Sequence, residues 1–253
     1  MALSMAPLSL SLMSDGNQPS LVVSGQVDET NIYRLVTVLD HLVDEHERCV
    51  SLDLSDVDSI DATALGCLAE SAGAFSEKQR RLHLKDVSIA VQQSLDRHLL
   101  MELLCCEPEC AGHACELAAR TCRMDLFTLP SDPSYCREAR NRITRVAEAA
   151  GLGGNWLRDV MLAVGEAIAN AIRHGHSGEM DSSFTVSCLA NSERISVSVS
   201  DNGRGFRMDR LPSFEDVLML EHGRGIHCMK ALMDEVNFSF EGGTSVRLVK
   251  HVA

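Results

Sequence analysis

Basic residues are scarce relative to acidic ones in this chain of 253 residues. Lys and Arg together number 23, whereas Asp and Glu number 36, so the formal net charge is -13 at pH 7. Such a charge disfavours electrostatic binding to nucleic acid or to an anionic membrane surface. The composition, 45% hydrophobic and 23% charged, is that of a chain with a packed core rather than a disordered or fibrous one. We therefore expect a globular protein that binds neither nucleic acid nor membrane directly.

Long apolar runs and early basic residues are also missing. No run approaches the roughly 20 residues of a membrane span, and no Lys or Arg precedes Arg34. A secretory signal begins with basic residues and ends in a small-residue cleavage site, and neither is clear here. We expect a cytoplasmic protein, in which the ten cysteines are thiols or metal ligands rather than disulfides.

The two halves of the chain differ in charge and in hydrophobic pattern. Residues 1–120 contain 8 basic and 19 acidic residues, whereas residues 121–253 contain 15 and 17. The first half predicts a hairpin, then helices alternating with strands and a last helix over 91–104, which is typical of a small α/β domain with partly parallel strands. The second half predicts two long helices and four later strands, as in a two-layer α+β sandwich. We expect domains at 1–104 and 123–253, joined by a cysteine-rich segment at 105–122.

Four polar or glycine-rich elements follow one another in the second half. The helix predicted over 156–174 has an apolar stripe, and Glu166 and Asn170 are i and i+4 neighbours on the opposite face. The strand at 195–200 leads into DNGRGF (201–206), and HGRGI (222–226) opens another helical stretch. Glycines before a helix N-terminus suit a phosphate, because free N–H groups and the helix dipole favour anions. Taken singly, these elements are also typical of a solvated helix face and of ordinary turns, so it is their order that indicates a nucleotide site.

This ordered set resembles the ATP-binding module of the GHKL superfamily, which includes gyrase and histidine kinases. EAIANAIRHG (166–175) is similar to its N box, and DNGRGF and HGRGI are similar to its two glycine boxes. The MDEV that follows and the closing GGTSVRLVK resemble the anti-sigma-factor serine/threonine kinases in particular. The resemblance implies a Bergerat-type two-layer α/β sandwich over residues 123–253 that uses ATP and Mg²⁺. A histidine kinase would also need a phospho-acceptor His on an upstream dimerising helix, and the sequence offers none.

The resemblance assigns a role to each matched residue. Glu166 would be the general base that takes a proton from a Ser or Thr hydroxyl, and Asn170 would hold Mg²⁺ against the phosphates. Asp201 would accept a hydrogen bond from the adenine amino group, with Thr244 close by. The nucleotide and its phosphates would lie against the glycine-box residues Gly203, Gly205, Gly223, Arg224 and Gly225. Residues 207–221 would form a lid.

The first half resembles the STAS domain, the fold of anti-sigma-factor antagonists. The resemblance rests on VSLDLSDV (50–57), on IDATALG (60–66) and on a hairpin that ends in SGQVDE, and it covers about residues 4–104. Antagonists carry Asp-Ser-(Ser/Thr)-Gly at this strand-to-helix turn, and the first Ser accepts the phosphate. Here Ala62 stands at the acceptor position. Thr63 keeps a hydroxyl one place later, either as a helix cap or as a phospho-acceptor.

Five cysteines and one histidine fall within 18 residues between the two halves: Cys105, Cys106, Cys110, His113, Cys115 and Cys122. Thiolates and imidazoles suit Zn or an iron–sulfur cluster. The spacings contain no paired CxxC, so a metal or redox site and idle reduced thiols stay open as alternatives.

Together these features predict an anti-sigma-factor-type serine/threonine kinase fused to a STAS domain that serves for docking or regulation. The resemblance implies that the kinase phosphorylates a separate STAS antagonist, that it also binds a sigma factor or similar regulator, and that it forms a homodimer. Two alternatives remain at this point. One is a non-catalytic module that binds ATP as a partner switch, and the other is an ATPase without a protein acceptor.

Overall fold

The structure is a computed structural model of the chain, and it describes residues 7–15, 18–45, 49–104, 122–175, 182–203, 224–240 and 243–252. The chain splits into two compact units, Met1–Leu126 and Phe127–Ala253. Residues 105–121 lie outside the described ranges. The predicted domain boundaries at 104 and 123 therefore stay a prediction.

Unit 1 is built on a four-stranded sheet in the order β1-β2-β3-β4. Its strands are β1 (Ser9–Asp15), β2 (Gln18–Val27), β3 (Val50–Ile60) and β4 (Leu82–Val87). β1 runs antiparallel to β2, whereas β2, β3 and β4 run parallel to one another. Val50, Leu52 and Leu54 are buried and alternate with half-buried residues, because successive side chains of a strand point to opposite faces. The predicted α/β arrangement with partly parallel strands is confirmed.

The helices of unit 1 are α1 (Ile32–Glu45), α2 (Ala62–Glu77), α3 (Ile89–Arg97) and α4 (Leu100–Leu103). The prediction of a single helix over 91–104 is wrong, because Leu99 adopts a left-handed backbone with φ 63° and interrupts it. That conformation costs a non-glycine residue about 1–2 kcal/mol. The break buries Leu99 and Leu100, which are 1% and 0% exposed. Burial of two leucine side chains, worth about 1.5–3 kcal/mol each, offsets the strain.

In its described residues, unit 2 combines a five-stranded sheet with three α-helices. The sheet order is β5-β6-β7-β9-β8. In chain order, the strands are β5 (Arg123–Pro130), β6 (Ser183–Ala190), β7 (Arg194–Asp201), β8 (Glu235–Ser239) and β9 (Thr244–His251). The first residues of β5 belong to unit 1. The pairs β6/β7, β7/β9 and β9/β8 are antiparallel. The helices are α5 (Cys136–Ala149), α6 (Asn155–His174) and α7 (Arg224–Leu232). Residues such as Ile143, Ile168, Val197 and Leu248 share one core between helices and sheet, so the predicted two-layer sandwich is confirmed.

Helix α6 is buried along the predicted apolar stripe. Val160, Val164 and Ile168 are each 0% exposed and belong to the core of unit 2. The other side of the helix is not simply solvated, because α7 packs along it. Glu166 and Asn170 are consequently half-buried. The interpretation of these two residues as an ordinary solvent-facing side is therefore wrong.

Six cysteines are described, and all are free thiols: Cys49, Cys67, Cys122, Cys136, Cys188 and Cys228. Of the predicted cysteine cluster, all but Cys122 lies outside the described residues. Within the described ranges, no group of three or more His, Cys, Asp or Glu side chains is arranged to hold a metal ion. The described helices also include none that is long and apolar enough to cross a membrane.

Candidate nucleotide-binding site

Asp201 ends β7, the central strand of the sheet in unit 2, and it is 9% exposed. Its Oδ1 accepts a hydrogen bond from the Gly203 N–H at 2.8 Å. Thr244 is its register partner on β9, and the Thr244 hydroxyl donates to the carboxylate. Burial raises the pKa of Asp201, although these two hydrogen bonds and the charge of His174 oppose the shift. A buried carboxylate with acceptor capacity to spare suits a donor such as the amino group of adenine.

Position 203 has no space for a side chain. A Cβ at this position would lie 2.7 Å from Oδ1 of Asp201 and 3.0 Å from Cα of Gly175, and it would also meet the carbonyl oxygen of His174. The end of α6 therefore packs directly on the end of β7. The sequence interpretation did not include His174 and Gly175 in the site, although they are the last two residues of the N-box segment EAIANAIRHG.

The beginning of α7 lies beside the polar side of α6. Arg224 is exposed and starts the helix, and Gly225 follows directly against Glu166. A Cβ at Gly225 would lie 2.6 Å from Oε2 of Glu166. The free N–H groups in the first turn of a helix attract anions. A phosphate bound there would consequently lie close to the Glu166 carboxylate.

One side of α6 connects these two places. Glu166, Asn170 and His174 are spaced by four residues, so they lie in a row along the helix. Glu166 meets α7 at one end of the row, and Asp201 interacts with His174 at the other. Eight residues of helix span about 12 Å. That length separates the base and the terminal phosphate of an extended nucleoside triphosphate.

The structure thus brings together most of the predicted site residues. Asp201, Gly203 and Thr244 form one group, Glu166 and Gly225 form a second with Arg224 adjoining, and Asn170 lies between them. Gly205, Gly223 and the predicted lid at 207–221 lie outside the described residues. Their predicted roles are therefore not tested.

A groove of about 400 Å³ lies between α5 and α6. Its lining combines arginines with apolar side chains: Arg140, Gly154, Leu157, Arg158, Met161 and Leu162. Leu162 is 55% exposed and precedes Glu166 by four residues, so it lies one turn away on the same side of α6. Leu162 is thus the lining residue one helical turn from Glu166, which is not itself among the described lining residues.

Asp61 fixes the strand-to-helix turn of unit 1. Its Oδ1 accepts from the N–H of Ala64 at 2.7 Å, and its Oδ2 accepts from the N–H of Glu29 at 2.9 Å. Asp61 is thus the N-cap of α2, whereas Thr63 lies within the first turn and is exposed. The interpretation of Thr63 as the helix cap is therefore wrong. Its role as a phospho-acceptor stays a prediction.

Comparison with known proteins assigns both units. Residues 129–250 match the family model of the histidine kinase-like ATPase domain, and residues 10–104 match that of the Mlab-type STAS domain. Serine-protein kinase RsbW from Listeria monocytogenes serovar 1/2a is 33% identical in an alignment of 132 residues, which covers 49% of this chain and 84% of the relative. This chain belongs to the RsbW family of serine-protein kinases. The predicted resemblance to anti-sigma-factor serine/threonine kinases is thereby confirmed.

Further matches are found among curated proteins and solved structures. RsbW from Bacillus subtilis strain 168 is 27% identical in an alignment of 132 residues, which covers 49% of this chain and 82% of that protein. The solved structure of the RsbU and RsbW domains of a Mycobacterium tuberculosis protein is 19% identical, covers 50% of this chain and 32% of that one, and has a TM-score of 0.37. As an RsbW-family kinase, the chain carries its ATPase domain after a STAS domain that fills most of its first half.

Proposed function

We propose that this RsbW-family kinase transfers the γ-phosphate of ATP to a serine of a separate STAS antagonist protein. The observation that carries the proposal is the row of Glu166, Asn170 and His174 along α6, which leads from the first turn of α7 to the buried Asp201. A sigma factor or similar regulator is the second partner, and phosphorylation of the antagonist decides which partner the kinase holds. The kinase acts as a homodimer in this proposal.

The two ends of the row along α6 bind different parts of the nucleotide. Asp201 accepts from the adenine amino group, with Thr244 beside it, and the Gly203 N–H holds Oδ1 of this carboxylate in place. The phosphates lie at the first turn of α7, formed by Arg224 and Gly225, and the predicted glycine-box residues Gly205 and Gly223 complete the binding. Glycine-rich backbone before a helix N-terminus and the helix dipole both favour bound phosphate.

Asn170 supplies an amide oxygen between these two ends, which is a ligand that Mg²⁺ accepts. Asn170 is half-buried on α6 and one turn from Glu166, so the residues present fit a cation bound to the phosphates. Mg²⁺ supplies neutralisation of phosphate charge when it is bound. Asn170 is the residue that would hold it.

Glu166 acts as the general base. As the acceptor serine oxygen bonds to the γ-phosphorus, the bond to the β,γ-bridging oxygen breaks and ADP leaves. The serine proton passes to the Glu166 carboxylate, which is near enough to the first turn of α7 to reach it.

The groove between α5 and α6 is where the antagonist docks in this proposal. Arg140 and Arg158 give it a basic rim, and Leu162 lies one helical turn from the general base. The strand-to-helix turn of this chain's own STAS unit is acidic, since it carries Asp61 and lies beside Glu29, whose backbone N–H donates to the Asp61 carboxylate. An antagonist with a similarly acidic turn would complement the rim.

Charge reversal tests the docking surface. Arg140→Glu should raise KM for the antagonist about tenfold or more and leave ATP affinity unchanged, because Arg140 lines the groove and not the nucleotide site. Arg145→Glu is the matched control, since Arg145 is exposed on the same helix outside the groove lining. Steady-state kinetics with varied antagonist measure both. Equal effects of the two variants would contradict this docking site.

Phosphotransfer tests the function itself. The intact chain is incubated with Mg²⁺, ATP labelled in the γ-phosphate, and STAS antagonists whose turn reads Asp-Ser-(Ser/Thr)-Gly. Label is expected on the first serine of that turn, and Glu166→Gln should slow its transfer while ATP still binds. Phosphate release without labelled protein would favour an ATPase. Nucleotide binding with neither product would favour a non-catalytic switch.

A further inference from the structure

Gly225 is in direct contact with the general base. A Cβ at this position would lie 2.6 Å from Oε2 of Glu166 and 3.5 Å from both Cβ and Cδ of that side chain. The nearest atoms are thus all from Glu166. The carboxylate occupies the space that a side chain at position 225 would need.

The consequence of adding that side chain falls on the carboxylate rather than on the fold. Gly225 lies in the first turn of α7, and its φ is not positive, so an alanine fits the helical backbone. The conflicting atom is the far end of a flexible side chain, which can rotate away. The helices α6 and α7 can therefore keep their packing while Glu166 loses its position.

We infer that Gly225 is a positioning residue, whose missing side chain holds the Glu166 carboxylate in place for proton removal. This inference rests on the proposed function, since it concerns the general base of the same reaction. A general base must lie within hydrogen-bond reach of the proton that it takes. A shift of about 1 Å in such a group lowers the rate by roughly a hundredfold.

This role differs from the one that the sequence predicts for the same residue. A glycine that lets phosphate approach the backbone should affect nucleotide affinity when it is replaced. An alanine at position 225 keeps the backbone N–H that faces the phosphates, so a glycine that positions Glu166 should, when replaced, affect kcat at saturating ATP and leave affinity nearly unchanged. The two roles thus separate in a single pair of measurements.

The experiment compares Gly225→Ala with Gly165→Ala in the full chain. Gly165 precedes Glu166 on α6, and a Cβ there would meet nothing within 4 Å, so it is a matched control. Gly225→Ala should lower kcat for phosphotransfer at least about tenfold, with the Kd for ATP within twofold of the parent's. Gly165→Ala should change neither quantity.

A variant with a shorter acidic side chain at position 166 tests the contact itself. Glu166→Asp shortens the side chain and withdraws the carboxylate from position 225. The factor by which Gly225→Ala lowers kcat should therefore be clearly smaller in the Glu166→Asp variant than in the parent. Such non-additive effects are expected when two residues are in contact. The pair Glu166→Ala with Gly225→Ala should fold and melt no lower than Glu166→Ala alone, because no conflict remains.

Three outcomes would overturn the inference. They are a loss of ATP affinity by Gly225→Ala with unchanged kcat, additive effects of Gly225→Ala and Glu166→Asp, and failure of the double variant with Glu166→Ala to fold. Failure of the proposed function is visible separately. In that case the parent chain itself would bind ATP and transfer no phosphate.

Discussion

Replacement of Asp201 by asparagine tests the base end of the site most directly. Oδ1 of Asp201 already accepts from the Gly203 N–H at 2.8 Å. An asparagine must keep its carbonyl oxygen toward that N–H, because its NH₂ group would oppose another donor there. The amide nitrogen then faces the nucleotide, where the adenine amino group also donates.

The size of the effect follows from the burial of this residue. Asp201 is 9% exposed, so water cannot replace the lost partner. Loss of one hydrogen bond to a buried charged group costs about 1.5–3 kcal/mol, and Asp201→Asn should therefore weaken ATP binding roughly ten- to a hundredfold. Glu166→Gln should change ATP affinity much less, because Glu166 lies at the opposite end of the row on α6.

Calorimetric titration of ATP and GTP with Mg²⁺ measures both the affinity and the base preference. Guanine presents a carbonyl oxygen where adenine presents its amino group, so Asp201→Asn should reduce the preference for ATP over GTP. Melting temperatures of the two variants control for folding. Unchanged ATP affinity and unchanged base preference in a folded Asp201→Asn would refute the role of Asp201.

The pH dependence of binding gives a second readout of the same group. Burial raises the pKa of Asp201, so the carboxyl takes up its proton at a higher pH than an ordinary aspartate does. A protonated carboxyl loses acceptor capacity toward adenine. ATP affinity should therefore fall as the pH is lowered toward this raised pKa, and Asp201→Asn should abolish that part of the dependence.

Three further predictions concern unit 1 and the cysteine-rich segment. Burial, with a smaller contribution from Arg97, lowers the pKa of His98 from 6.5 to about 4. His98 in the unfolded chain thus binds a proton more readily than His98 in the folded protein. The free energy of unfolding should therefore keep its full value above pH 6.5 and fall by about 2–3 kcal/mol as the pH approaches 4. Urea unfolding of the parent and of His98→Gln at several pH values measures this contribution. Ala62→Ser should create a site labelled by ATP that the parent lacks, whereas stoichiometric label on Thr63 of the parent, found by peptide mapping, would contradict the assignment of unit 1 as a partner surface. If the cysteine cluster binds Zn or an iron–sulfur cluster, anaerobically purified protein should contain near-stoichiometric metal and Cys110→Ser should contain less, whereas elemental analysis without either metal would leave idle thiols.

The sequence predicted most of the helices and strands, because the spacing of apolar residues along the chain indicates which face of a helix or strand is buried. The stripe on α6 with Val164 and Ile168 is one instance, and both residues are in the core. The same reasoning failed at Leu99, where burial of two adjacent leucines outweighs the local preference for a continuous helix.

The candidate site was predictable where its residues form a sequence motif, and less so where it depends on packing. Glu166 and Asn170 followed from helical spacing. The contact of Gly225 with Glu166 joins positions far apart in the chain, and no local pattern contains it. His174 was overlooked because its interaction with Asp201 depends on the end of α6 meeting the end of β7.

The turn at Asp61 keeps its backbone conformation although it lacks the hydroxyl that accepts phosphate in antagonists. Both carboxylate oxygens accept from backbone N–H groups, one in the first turn of α2 and one in the turn before α1, so the Asp61 turn is held without any help from the residue that follows. With Ala62 at that position, the acceptor atom is removed while the scaffold around it stays. A partner that binds this turn would meet a surface that phosphorylation at position 62 cannot change. If Thr63 also stays unphosphorylated, unit 1 would hold that partner whether or not the kinase is active.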